Sequence, residues 1–263
     1  MAETGLRLAL FGGVYSNHLA LDATLADAAR FGADATWCLG DVGGFGPHPD
    51  HSLERLRAAG VPTLRGNYDA SIGEALDDCG CGYADPLDQQ YAQRSYDYTL
   101  ARTSSAHRAW LRALPEHARF TAGERRVLLT HGSPRRVNEF LWDSACSDAF
   151  LEWLCDAYEA DVLACTHTGL HWHRALPSGR HVINVGAIGR PANDGRTDVW
   201  YAALELGADV TVTFRPVSYD HESLAREMEE EALPAEFVET IRTGWWTTCL
   251  ENLPSRERRR GKF

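Results

Sequence analysis

The chain opens on a short apolar run, Leu6-Arg7-Leu8-Ala9-Leu10-Phe11, that stops at Gly12-Gly13. It is followed from His18 to Phe31 by Leu21, Leu25 and Ala28 at helical spacing. A run of this length ending in glycine predicts a strand, and a 3.6-residue apolar period predicts an amphipathic helix. Ala35–Leu39 predicts a second strand stopping at Gly40-Asp41, and Val61–Leu64 a third stopping at Gly66-Asn67. Arg126–Thr130 runs into His131-Gly132, and Asp161–Cys165 into Thr166-His167. In open α/β sheets, ligands bind at the carboxyl ends of strands, so polar residues at these separate strand ends are expected to converge on one site.

The last third reads differently. Val182–Val185, Val199–Leu204 and Val210–Phe214 alternate as antiparallel strands with short turns. From Asp220 the period becomes helical, with Leu224 and Met228 on one face and Phe237 and Ile241 on a further segment after Pro234. The expected organisation is a main domain over 1–218, with an insertion at about 70–115, and a helical extension over 219–263 packed on it. Repeats and low-complexity segments are lacking.

Composition narrows the function classes. A chain of 263 residues with 44% hydrophobic and 24% charged content has the length for one sizeable core. The start, MAETGLRLALFGG, has no charged region leading into a long apolar one, and no stretch approaches the ~18 apolar residues of a membrane span. A cytoplasmic protein without a membrane partner is expected. The formal net charge of −11 speaks against generic nucleic-acid binding. The basic run Arg256–Lys262 reads as a solvated, frayed tail. Seven scattered cysteines are an odd number and argue against a disulfide framework; Cys79-Gly80-Cys81 offers half of a zinc site, without a second pair to complete it. Nothing here sets an oligomeric state.

Taken singly, Asp41 and Asn67 beside glycine read as turn residues, and His131 and His167 as hydrogen-bonded histidines. Together they are four oxygen or nitrogen donors at strand ends, a set suited to one divalent Mn, Fe or Zn ion.

The segments carrying these donors occur in the order of a known family. Gly40-Asp41-Val42-Gly43-Gly44 resembles the GD-x-x-G motif of calcineurin-like metallophosphoesterases, and Gly66-Asn67-Tyr68-Asp69 resembles their GNH motif with its following acid. His131-Gly132-Ser133-Pro134, Thr166-His167-Thr168-Gly169 and Asn184–Pro191 are similar to the fourth motif, the GHTH motif and the segment that follows it in the bacterial branch. The resemblance spans about residues 6–215 and implies an α/β fold, the family's four-layer β-sandwich of two mixed sheets flanked by helices, with residues 70–115 as a cap-like insertion. It implies a hydrolase acting on a small-molecule phosphate ester or phosphodiester, with a nucleotide as one candidate. A repurposed site for a nucleoside-like or non-phosphate substrate, and a binding protein without turnover, are the alternatives.

The departures fall in one place. The family's opening D-x-H-G-N aligns with Gly13-Val14-Tyr15-Ser16-Asn17, and the second histidine of GHTH with Gly169. In the family those three lost positions serve one metal. The positions of Asn67, His131 and His167 serve the other, and that of Asp41 bridges both. Losses confined to one site imply a one-metal centre, with the replacements excluding the second ion and enlarging the pocket. Tyr15 is expected to fill vacated space and contact substrate, although a phenol can also ligate a hard metal; His18, His171 and His173 are further candidates to occupy the gap. By the same resemblance Tyr68 stands at the proton donor's position with Asp69 beside it as catalytic residues, and Asn17, Arg174 and Arg190 are expected at the substrate, where guanidinium forks suit phosphate oxygens. Arg135 and Arg136 also lie in motif segments but read as surface charge, and Gly186 and Gly195 as turn glycines.

Overall fold

The structure is a computed structural model that describes residues 5–261. Met1–Thr4, at the start of the segment read above for a leader, and Lys262–Phe263, at the end of the basic run, lie outside the described residues.

Strand β1 (Leu6–Phe11) is buried on both faces, which is why it reads as a continuous apolar run. Leu8 and Leu10 point into the core between two sheets, and Ala9 and Phe11 into a second core under helices. β1 pairs in parallel with β2 (Ala35–Cys38) and antiparallel with β8 (Val199–Leu206), which pairs with β9 (Val210–Val217), giving the order β2-β1-β8-β9. The other sheet has the order β3-β4-β5-β7-β6, from His117–Ala122, Arg125–Thr130, Val162–Cys165, His181–Val185 and His171–Ala175. Both sheets are mixed, with β4, β5 and β7 parallel and the two edges antiparallel.

Helices cover the outer faces and complete four layers. α1 (His18–Phe31) and α2 (Pro49–Ala58) pack Leu21, Leu53 and Leu56 on the first sheet, and α6 (Asp148–Ala157) packs Leu151 and Leu154 on the second. α1 starts where Asn17 accepts the Ala20 N–H and stops at Gly32 in the left-handed conformation.

The expected strand at 61–64 is reduced to one bridge between Thr63 and Cys38. Pro62 has no N–H for a ladder, so only its carbonyl and the Leu64 N–H bond to Cys38. The insertion is helical: α3 (Asn67–Glu74) packs against α5 (Ser105–Arg112), and α4 (Pro86–Arg102) runs between them in sequence. Within it, Cys79 and Cys81 form a disulfide across left-handed Gly80. The pair so bonded is not available as half of a zinc site, and Cys38, Cys146, Cys155, Cys165 and Cys249 are free.

The C-terminal extension forms α7 (His221–Glu230), α8 (Ala235–Thr243) and α9 (Ser255–Arg260). Leu224, Met228, Phe237 and Ile241 build one core with Phe45 from the main body. Within the described residues the basic run is therefore not the frayed tail expected from its charge: Arg256–Arg260 lie in α9, whose buried Glu257 accepts the Ser144 N–H at 2.9 Å and the Ser144 hydroxyl. Among the described residues, no helix is long and apolar enough to cross a membrane.

Candidate metal centre and pocket

The loops leaving β2, β4 and β5, together with the start of α3, bring Asp41, His131, His167 and Asn67 to one end of the sandwich. Two glycines permit the approach: a Cβ on left-handed Gly40 would meet the Gly66 nitrogen at 2.5 Å, and one on Gly66 would overlap the Asp41 carboxylate at 2.1 Å. Tyr15, Asp41 and His167 all have positive φ, at 49°, 57° and 67°. Left-handed backbone at three non-glycine residues of one site is strain of the kind that clusters where function demands a particular geometry.

His131 Nδ1 lies 2.7 Å from the Leu39 carbonyl, which fixes the proton there and turns Nε2 inward. Nε2 lies 3.2 Å from Asp41 Oδ2 and 3.2 Å from His167 Nδ1, and one ligand atom of each of the three residues lies within 4.8 Å of the others. Asn67 donates its amide to the Cys79 carbonyl at 2.9 Å, which sets which end of the amide is oxygen. Its Oδ1 is buried without a hydrogen-bond partner. A buried acceptor left orphaned on a residue that shares a pocket with Asp41 and His167 fits a divalent cation, and Asp41, Asn67, His131 and His167 are the residues that would hold it.

Asp69 stands behind this set. Its carboxylate accepts N–H groups from Asp41 at 2.7 Å, Val42 at 2.9 Å and Gly66 at 2.9 Å, tying the two ligand loops together. Burial, then the neighbouring Asp41 charge, raises its pKa to about 6.

Electrostatics ready the cluster for a cation. Burial pushes the His167 pKa down to about 3, so its ring is neutral over the working range. Burial also disfavours charge on both His131 and Asp41, but their mutual attraction outweighs it, raising His131 and lowering Asp41. Without a cation, His131 therefore holds a proton that a metal must displace. Its pairing contributes stability that is full below its unfolded pKa near 6.5 and is lost as pH rises through the higher folded value. Metal affinity should run the other way, falling about tenfold per pH unit below that folded pKa, with close to one proton released on binding. Calorimetric titration with Mn in buffers of different ionisation enthalpy checks this; affinity independent of pH between about 5 and 8 would contradict it.

The cluster opens into a pocket lined by Asp41, Asn67 and His167 at one end and by Tyr15, Tyr68 and Arg190 among the expected residues. The Tyr68 hydroxyl sits 3.1 Å from Ser95 Oγ, and burial raises its pKa further above the ordinary phenol value. Asn17, Asp69 and Arg174 do not line the pocket. Asn17 is engaged as the α1 cap and donates to the Gly189 carbonyl at 3.3 Å. Arg174 is held by Asp143 at 2.6 Å, Asp148 at 3.2 Å and the Cys146 carbonyl at 2.7 Å. His18 lies 3.7 Å from Glu227, His171 packs on Trp200 and Phe214, and His173 bonds His181 at 2.9 Å, so none of the three enters the vacated space.

That space is filled rather than enlarged. A Cβ on Gly13 would meet the Tyr15 ring at 2.9 Å, and one on Gly169 would meet Trp246 at 3.1 Å and Arg190 Nη2 at 3.4 Å. The expectation of a wider pocket is thus corrected, because a phenol, an indole and a guanidinium have moved in where side chains are missing. Trp246, Phe237, Cys249 and Asn252 reach the pocket from the C-terminal extension, and Phe140 and Trp142 from the loop after β4. None was expected from the sequence motifs; the available signal was the aromatic pairing of Phe140 with Trp142 and Trp245 with Trp246 in loops rather than in apolar elements.

Comparison with known proteins agrees with this architecture. Residues 6–209 match the profile of the calcineurin-like phosphoesterase superfamily domain. The chain is similar to a metallophosphoesterase of Sphaerobacter thermophilus of known structure, with 27% identity, a TM-score of 0.71, and coverage of 91% of this chain and 99% of the other. A hypothetical protein of Pyrococcus horikoshii shares the fold with a TM-score of 0.77 at 20% identity, over 92% of this chain and 100% of that one. An uncharacterised protein of Methanocaldococcus jannaschii is 22% identical over 245 residues, covering 86% of this chain and 93% of its own length. With two mixed sheets, the strand-end cluster and a match over most of its length, the chain belongs to the calcineurin-like phosphoesterase superfamily.

Proposed function

We propose that this chain is a hydrolase that uses one divalent ion, Mn, Fe or Zn, held by Asp41, Asn67, His131 and His167, to cleave a phosphate ester or phosphodiester of a small molecule. The observation that carries the reading is the orphaned Oδ1 of Asn67, a residue that lines one pocket with Asp41 and His167 of the three-residue cluster and with Arg190, whose Nε also lacks a hydrogen-bond partner among the described residues. Arg190 is 8% exposed, and among the described residues its Nε has no hydrogen-bond partner and no carboxylate pairs with it. An anion between that cation and the metal site would satisfy both ends.

When bound, a divalent ion supplies Lewis-acid charge to a phosphoryl oxygen and a nucleophile from water at neutral pH. The protein does the rest. Arg190 binds phosphoryl oxygens and offsets the charge that builds on them, standing on the side where the family's second ion would be. Tyr15 contacts the substrate beside it. Tyr68 donates a hydrogen bond, and its raised pKa keeps the phenol protonated toward the leaving oxygen, though it is a weaker acid than histidine at neutral pH. Asp69 acts by holding the ligand loops in register rather than by touching substrate. Asn17 and Arg174 contribute through the structure around the site, since both are engaged elsewhere.

The phenol in place of a better-matched acid favours a second reading, a metal-bearing binding protein or a site repurposed for non-phosphate chemistry. Metal analysis of protein purified without chelator, followed by assay with a chromogenic phosphomonoester and phosphodiester in Mn, separates the readings. About one equivalent of metal with turnover is expected. One equivalent without phosphoesterase turnover would support the second reading, and no metal would refute the assigned ligands.

A further inference from the structure

The pocket specifies more than a phosphoryl group. We infer that its ligand is a phosphoryl compound bearing a planar ring; as a statement about substrate, this rests on the hydrolase reading above.

Phe237 on α8 and Trp246, Cys249 and Asn252 beyond it line the same pocket as Asp41, Asn67 and His167, so the C-terminal extension forms part of its wall. Trp246 is anchored by donating its indole N–H to the Pro191 carbonyl at 2.7 Å and its backbone N–H to Asn193 at 2.8 Å, and Asp88 of α4 accepts the Cys249 N–H at 2.7 Å. The extension is therefore tied both to the loop carrying Arg190 and to the insertion. The cavity left is about 80 Å³, room for about six waters, or about 180 Å³ of liquid. That is the scale of one ring with a phosphoryl group attached, and a larger cavity of about 730 Å³ adjoins it at Cys81, Tyr83 and Ala92.

The wall chemistry points to the ring. Phe45, Tyr83, Phe140, Trp142, Phe237 and Trp246 surround the pocket, against few polar groups. Phe45 stacks on Phe237 with centroids 4.5 Å apart, and Phe140 on Trp142 at 5.5 Å and 3° between planes, so the walls are preformed by paired rings. Among the described residues that line it, the one cation is Arg190, whose guanidinium lies 3.6 Å over the Trp246 ring with its Nε lacking a hydrogen-bond partner. An aliphatic ester would fill such walls with less contact than a flat ring, which meets them edge-to-face or offset. The phosphoryl oxygens go to Arg190 and the metal end, and the ring lies among the aromatic walls.

Phenylphosphonate and methylphosphonate test this without turnover, because neither has an ester bond to cleave. Titrated calorimetrically into protein loaded with one equivalent of Mn, phenylphosphonate is expected to bind at least about tenfold tighter, the scale of one or two aromatic contacts. Trp142→Leu and Phe237→Leu, chosen conservatively so that the walls persist, are expected to bring the two ligands to within a few-fold while metal content stays near one equivalent. Equal affinities in the parent protein, or no binding of either, would overturn the inference. The hydrolase reading is judged separately by turnover of phenyl phosphate and methyl phosphate. Turnover of both at equal efficiency keeps that reading and sinks this one, whereas preferential binding of phenylphosphonate with no turnover of phenyl phosphate supports the ring pocket and sinks the hydrolase.

Discussion

His131→Ala should abolish stable metal binding, and His167→Ala should do the same. Each change deletes an inward nitrogen from a cluster whose ligand atoms lie within 4.8 Å of one another. Loss of a supporting outer-shell partner costs about 10–100-fold in metal affinity, and loss of a direct ligand should cost at least the upper end of that range. Turnover should fall in parallel, because the proposed chemistry depends on the ion. The two variants should differ in the metal-free state. His131→Ala removes the group paired with Asp41 and leaves the Leu39 carbonyl without its donor, so its melting temperature should drop. His167, already neutral at working pH, lacks that pairing, and its removal should be better tolerated. Metal content by elemental analysis and thermal melts in chelator check both statements. Full occupancy in both variants would contradict the ligand assignment.

Arg190→Met should lower kcat/KM by about 100- to 1000-fold, the range found when one preorganised donor to a developing oxyanion is deleted. Methionine keeps apolar bulk on the Trp246 face while removing the charge. Metal content should not change, since Arg190 is not among the ligands. Stability should rise, because a guanidinium that is 8% exposed and has no carboxylate partner among the described residues burdens the folded state. Arg190→Lys should recover only part of the activity, as an ammonium cannot present the planar fork. Steady-state kinetics beside a thermal melt decide the matter. A variant that loses stability and keeps its rate would show Arg190 to be a packing residue.

Much of this protein was determined by its sequence, through local rules. The two-faced burial of β1 produces an uninterrupted apolar run, and α1 begins and ends at Asn17 and Gly32 because those residues satisfy or bend the helix ends locally. Asp41, His131 and His167 were legible because each lies just past the end of a strand, and Asn67 because it follows Gly66 after a short apolar run, although that run forms a single bridge rather than a strand. What lies off that pattern was decided by tertiary structure. Arg174 and Arg190 look alike in sequence, each next to a motif, yet Asp143 and Asp148 claim one while Trp246 stacks on the other and leaves it unpaired. The basic charge of 256–262 reads as a tail, but a single buried Glu257 seats the helix it forms. The vacated metal space looked open because glycine reports only the absence of its own side chain. Whether that volume stays empty depends on residues far along the chain, and Tyr15, Arg190 and Trp246 fill it here. Helix ends and strand periods are fixed by neighbours within a few residues. The lining of a pocket is fixed by long-range packing, in which Phe237, Trp246, Cys249 and Asn252 line a site whose expected ligands end at 167.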